Sequence, residues 1–212
     1  MSEPAAQPYS RWQRMLEYLA IGVFALLSLW AFVRLSQAAG YYFLLIAVPA
    51  AILAWLLVDL LSGFLHFALD SWGSVHTPIV GKAFIRPFRE HHVRPQEMTQ
   101  HDFVELNGAS SLVCLPILAG VIAIPLTSVA WMALQAVLLF MALGGIVTNN
   151  CHKWAHTELA DIPVVVRWAQ LRRLILCPEH HKRHHTPPFN SHFCMASGWL
   201  NGFLNVFLRI LR

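Results

Sequence analysis

The sequence predicts an all-α integral membrane protein: four transmembrane helices beneath a cytosolic helical cap that holds a histidine-rich dimetal site. Three observations carry this prediction. The 212-residue chain is 57% hydrophobic and only 12% charged, about half the roughly 25% charged content of a soluble domain. Its charges are gathered into blocks separated by long uncharged runs. All twelve histidines fall within residues 66–101 or 152–192. A formal charge of +4 suits basic flanks facing anionic lipid better than it suits nucleic acid. Residues 1–212 are expected to form a single membrane-embedded domain.

The polar tail, MSEPAAQPYSRWQR over about residues 1–14, shows no cleavable signal pattern before the first apolar run. Two spans are expected next, over about residues 15–35 and 38–60. Tyr18–Val33 is uncharged with Glu17 and Arg34 at its edges, and snorkelling of those ends extends it to the roughly 20 residues that a bilayer core requires. Ser36–Val58 is a second uncharged run. Between Glu105 and Lys153 no residue is charged. One helix of that length would be about 70 Å long against a core of roughly 30 Å, so the chain must fold back. PLTS at 125–128 is the natural turn, which sets spans over about 109–125 and 129–148. Four crossings bring the N-terminus, the middle block 66–107 and the C-terminal block 151–212, with its histidines within 151–192, to one face. Fourteen of the fifteen Lys and Arg residues lie there, Arg34 being the exception, so that face is expected to be cytoplasmic.

DLLSGFLHFALD carries Asp59, Ser62, His66 and Asp70 on one helical stripe. His66 and Asp70, four apart, are neighbours there, in a structural hydrogen bond or at a metal. His91 and His92 are adjacent and diverge by about 100° on a helix, so they reach either two metals or one metal and a supporting partner. His152 and His156 are spaced i, i+4 and share a face, as chelating histidines do. The zinc-peptidase pattern HExxH needs a glutamate where this chain has Lys153, which argues against hydrolysis by that route. PEHHKRHH offers His180, His181, His184 and His185 in overlapping registers; spacing does not separate His180 from His181 as partner of His184. Cys114, Cys151, Cys177 and Cys194 contain no CxxC and read as small buried hydrophobes. Closely spaced histidine pairs match a haem poorly. Eight or nine imidazoles are enough for two ions, and two irons beside a lipid-facing cleft suit oxygen activation and C–H cleavage.

The stretches DLLSGFLHFALDSWGS, GKAFIRPFREHHVRPQEMTQHDFVELNG, TNNCHKWAH and HHKRHH followed by FCMASGWLN together resemble the lipid desaturase family, also called the Kua family. The resemblance covers roughly residues 55–205. It implies a multispan enzyme with a histidine-ligated pair of iron ions that uses O2 and external electrons to desaturate a lipid chain. The implied metal ligands are His66, His91, His92, His152, His156, His180, His184 and His185, with His181 as an alternative or addition. Asp70, His101 and Asp102 are ligands or support the ligand imidazoles, while His76 and His192 are surface or structural. The reaction expected from the resemblance converts the sn-1 alkyl ether of an ethanolamine phospholipid into a vinyl ether, as in plasmalogen synthesis. The alternatives are an acyl-chain desaturase acting on another phospholipid such as phosphatidylglycerol and a non-catalytic membrane metal-binding protein. Spans nearly free of ionisable groups disfavour transport. Arg86, Arg89 and Arg94 bind a lipid phosphate or form a solvated basic face. Ser62 and Gly63 allow close approach of the second span to another helix or to the substrate. Reducing equivalents are expected from a separate donor of cytochrome b5 or ferredoxin type. The membrane is the inner one in a bacterium and the endoplasmic reticulum in a eukaryote.

Overall fold

A computed structural model describes residues 10–210, the side chains of residues 82 and 83 excepted; the first nine residues of the polar tail lie outside it. The described residues form helices and connections, with no strand among them. Helix α1 (Arg11–Ala39) starts where the Ser10 hydroxyl accepts from the Gln13 amide at 3.1 Å, a serine N-cap. It stops at Gly40, whose φ of 53° is open to glycine without a side-chain clash. A single 3-10 turn (Gly40–Tyr42) leads into α2 (Phe43–Ser71). The break therefore falls a few residues later than the hydropathy pattern places it, since Ser36 and its neighbours continue α1.

After α2 come a π-helical turn (Gly81–Ile85) and three further helices: α3 (Arg86–Val93), the short α4 (Glu97–Gln100) and α5 (Phe103–Ala123). Asp102 caps α5 by accepting from the Val104 and Glu105 amides. Residues 124–128 reverse the chain into α6 (Val129–His156), which is capped by Ser128. The C-terminal part holds α7 (Val164–Leu171), α8 (Pro178–His184) and α9 (Asn201–Ile210).

The four long helices alternate in direction. At one end of α1, Arg14 donates to the Asp102 carboxylate at the start of α5; at the other, Arg34 donates to the Ile122 carbonyl at its end. These helices therefore run in parallel. Ala50 of α2 clusters with Ala136 of α6, and Val58 meets Gly144 further along, so α2 and α6 are parallel too. Consequently the end of α2, the start of α5 and the end of α6 meet at one pole.

Three stretches are long and apolar enough to cross a membrane: Arg11–Ser71, which holds α1 and α2 on either side of Gly40, then Phe103–Ala123 and Val129–His156. Only 28% of the most apolar window of each is buried, so their remaining side chains need an apolar surrounding. Inside, Phe24, Ala31, Leu118, Val121, Leu139 and Ala142 form the core between α1, α5 and α6. At about 1.5 Å per residue, the 29 residues of α2 and 28 of α6 extend over about 42–44 Å. That length carries their last turns beyond a hydrocarbon core of about 30 Å. Those turns bear the histidines.

Candidate metal centre

The polar stripe of α2 faces the C-terminal segment. Fully buried Asp59 accepts from the backbone amides of Ala196, Ser197 and Gly198 at 2.7–3.2 Å and from Leu200 at 3.1 Å. Four amide donors compensate one buried carboxylate, as burial of a charge requires. One turn on, the Ser62 hydroxyl donates to the Asp59 carbonyl and accepts from the Met195 amide. At Gly63 a Cβ would stand 2.5 Å from Leu204 Cδ2 and 2.8 Å from Cys194 Sγ. The close approach expected there is thus made by residues 194–204. This clamp holds the chain that follows α8 against α2.

Four elements converge above the clamp: α2 with His66 and Asp70, α3 with His91 and His92, α6 with His152 and His156, and α8 with its histidines. They fall into two groups, within each of which the ligand atoms lie no more than 4.8 Å apart: His91, His152, His156, His181 and His185 in one, and His66, Asp70, His92 and His184 in the other. The adjacent pair on α3 is divided between the groups. So are α8 and its C-cap, which place His181 and His185 in one and His184 in the other. Rings of the two groups are 5.0 Å apart at His92 and His185 and 6.1 Å at His66 and His152, centroid to centroid.

In the five-histidine group His181 Nε2 lies 2.9 Å from His152 Nε2, 2.7 Å from His156 Nε2 and 3.0 Å from His185 Nε2; His91 and His156 meet at 3.0 Å. A neutral imidazole nitrogen carries one proton or one lone pair, so a single Nε2 cannot satisfy three others by hydrogen bonds. A cation placed among them can. Nitrogens about 2.0–2.1 Å from a common ion stand about 2.9 Å apart at right angles and about 3.3 Å apart at the tetrahedral angle. The measured edges match right angles and five nitrogens are present, which fits five- or six-coordination better than a four-coordinate structural zinc. In the other group Asp70 Oδ2 lies 3.3, 3.1 and 3.5 Å from the Nε2 atoms of His66, His92 and His184. His92 and His184 approach to 3.2 Å. The donor sets fit two metal ions.

Electrostatics favour the same state. Burial, reinforced by neighbouring imidazoles, lowers His91 to about 3 and His185 to about 2. Burial also lowers His184 to about 3, partly opposed by its bond to the Ser191 carbonyl, and holds His181 well below the usual histidine range. Neutral rings offer lone pairs without proton competition. His184 Nδ1 donates to the Ser191 carbonyl at 3.0 Å, which turns Nε2 toward Asp70.

His180 lies outside both groups. It sits beside Gly198, 6.2 Å from the His192 ring. His101 pairs with Glu105 at 3.2 Å and its carbonyl accepts from Lys153. Asp102 is spent on the α5 cap and Arg14. His76 is also outside, its amide bonded to Ser74. Sequence reasoning assigned no role to Asn107, Asn149 and Asn150. Asn149 donates to Ser110 at 2.9 Å and Asn150 to Asn107 at 3.2 Å, fixing α6 against α5 just before His152. Their signal was three amides in otherwise apolar helices. A cleft of about 530 Å³ opens onto the Asp70 group and is lined by Asp70, Ser71, Arg89, His92, Phe189 and Asn190.

A lipid desaturase domain model matches residues 55–210. The chain is 41% identical over 198 residues to a plasmanylethanolamine desaturase of Myxococcus xanthus, covering 92% of this chain and 69% of that protein. It is also 41% identical over 164 residues to plasmanylethanolamine desaturase 1 of Mus musculus, covering 71% of this chain and 57% of that one. Chloroplastic fatty acid desaturase 4 of Arabidopsis thaliana is 28% identical over 152 residues, 71% of this chain and 45% of the plant protein. No solved structure matches this chain.

Proposed function

The chain belongs to the lipid desaturase family, and from that premise we propose that it converts the sn-1 alkyl ether of plasmanylethanolamine into a vinyl ether, consuming O2. The substrate carbons lose two hydrogens. With two further electrons and two protons from a separate donor, O2 leaves as two waters. The observation that carries this reading is the pair of imidazole groups at the pole where α2 and α6 end. His91, His152, His156, His181 and His185 would hold one iron and His66, Asp70, His92 and His184 a second, and the pair would supply the redox chemistry for removing hydrogen from the carbons beside the ether oxygen.

The remaining work belongs to the chain's own residues. Asp59, Ser62 and Gly63 hold residues 194–204 on α2, and through them α8. The bond from His184 to Ser191 fixes one ring, and the Asn149–Ser110 bond sets the phase of α6. Phe88 and Phe193 pack on His66 at 5.1 and 5.9 Å, walls that keep water from the reacting chain. In this reading α1, α2, α5 and α6 each cross the bilayer and the histidine pole is cytoplasmic, where a soluble or membrane-anchored one-electron carrier delivers electrons.

The test is expression in a host without plasmalogens, supplied with alkyl-ether ethanolamine phospholipid, followed by mild acid and assay of released long-chain aldehyde. Aldehyde that appears with the wild type and disappears with His152→Ala supports the reaction. An acyl alkene without aldehyde would assign the chain instead to the acyl-chain chemistry named for its plant relative.

A further inference from the structure

We propose that Arg89 and the cleft beside it form the subsite that takes the phosphate of the lipid headgroup; the assignment rests on the desaturase reading above. Three arginines lie on or next to α3, and their surroundings differ. Arg86 Nε pairs with Glu90 at 2.7 Å, and Arg94 pairs with Glu97 at 3.1 Å. Among the described residues, Arg89 has no carboxylate at ion-pair distance. Its Nη2 donates to the carbonyls of Trp72 and Gly73 at 3.3 and 3.0 Å, and its Nε is buried without a hydrogen-bond partner. A guanidinium that lines a cleft and is not neutralised by a carboxylate is the side chain best suited to a phosphate.

Position supplies the second argument. Arg89 and His92 are three apart on α3 and line the same cleft, so the cation stands one helical turn from a ligand imidazole. The cleft volume of about 530 Å³ is within the usual range for a small-molecule site. In an ether phospholipid six bonds separate phosphorus from the first chain carbon. At about 1.2–1.3 Å of advance per bond they span no more than about 8 Å. An enzyme acting on that carbon must therefore admit the phosphate into the cap, within one headgroup length of the metals. Asp70 on the facing wall is occupied by three imidazoles, while Ser71 and the exposed Asn190 complete a polar rim.

The experiment measures binding of a short-chain ether phospholipid, and of the same alkylglycerol without phosphate, to the full-length metal-loaded protein in detergent by calorimetry. The wild type is expected to prefer the phospholipid by about tenfold or more. Arg89→Gln should remove that preference and leave alkylglycerol affinity unchanged, and Arg89→Lys should restore part of it. Because Arg89 also holds two carbonyls of the segment after α2, metal content and melting midpoint are measured for each variant. Asn190→Asp puts a repelling carboxylate across the cleft without touching those carbonyls and is expected to reduce the preference as well. A preference that survives both Arg89→Gln and Asn190→Asp overturns the proposal. So does a site that takes millimolar inorganic phosphate as readily as the phospholipid, since it then serves the free ion. Vinyl ether formation is assayed separately; its absence with the binding preference intact would remove the proposed reaction and leave the headgroup site in place.

Discussion

At the scale of single residues, the sharpest distinction is between His180 and His181, neighbours with opposite surroundings. His181→Ala is expected to lower bound iron by about half or more and to abolish aldehyde release; His180→Ala should keep its iron, as read by elemental analysis of the purified proteins. Sequence left these two open because α8 has only seven residues. Its rotation is set from outside, by the Cys177 boundary and by the 194–200 segment that Asp59 clamps. Asp59 is fully buried with four amides donating to it, so Asp59→Asn turns a donor toward donors. Loss of a buried charge-assisted network of this kind costs about 2–4 kcal/mol, measurable as a drop in denaturation midpoint. The histidines also set a pH dependence. His91, His184 and His185 sit at about 3, 3 and 2 in the folded chain, below the roughly 6.5 of a free histidine. Between those values the unfolded chain binds more protons, so stability rises with pH and is fully present only above about 6.5. Metal-stripped protein should thus melt at a constant temperature above that pH and progressively lower below it, and bound metal should move the decline to lower pH.

At the scale of elements, the packing of α9 and its preceding segment on α2 depends on the missing side chain of Gly63. Gly63→Ala brings a Cβ within 3 Å of both Leu204 and Cys194 and is expected to cost about 1–3 kcal/mol. Gly145→Ala in α6, with nothing within 4 Å of the added carbon, should be neutral or slightly stabilising. The contrast is read from melting midpoints in one detergent. Much of the element pattern was legible in the chain. Uncharged runs marked the long helices, the Asp59-Ser62-His66-Asp70 stripe marked the buried face of α2, and the adjacency of His91 and His92 implied divergence to two partners. Other features depended on contacts between distant segments. Asp102 falls among the metal residues by its adjacency to His101; the D-x-x-E spacing to Glu105 is the signature of a helix start, and its carboxylate caps α5 and meets Arg14 of α1. Arg89 is set apart from Arg86 and Arg94 by folding alone, since those two pair locally with Glu90 and Glu97 while Arg89 lines the cleft.

At the scale of the whole molecule, alternation of the four long helices sends Gly40 and residues 124–128 to one pole and every histidine of the two groups to the other. Single cysteines at Gln37 and Thr127 should react with an impermeant maleimide from one side of intact vesicles, and a cysteine at Lys182 only from the other. Reaction of all three from the same side would dismantle the four-crossing arrangement. The division of α3 and α8 between the two groups has a further consequence for how the centre fills. Neither group can be arranged without fixing a helix that its neighbour also uses, so the first ion to settle prepares the place of the second. Chelator-stripped protein titrated with ferrous iron should then pass from empty to doubly loaded molecules with few singly loaded ones between, a cooperativity that native mass spectrometry would display as two dominant masses.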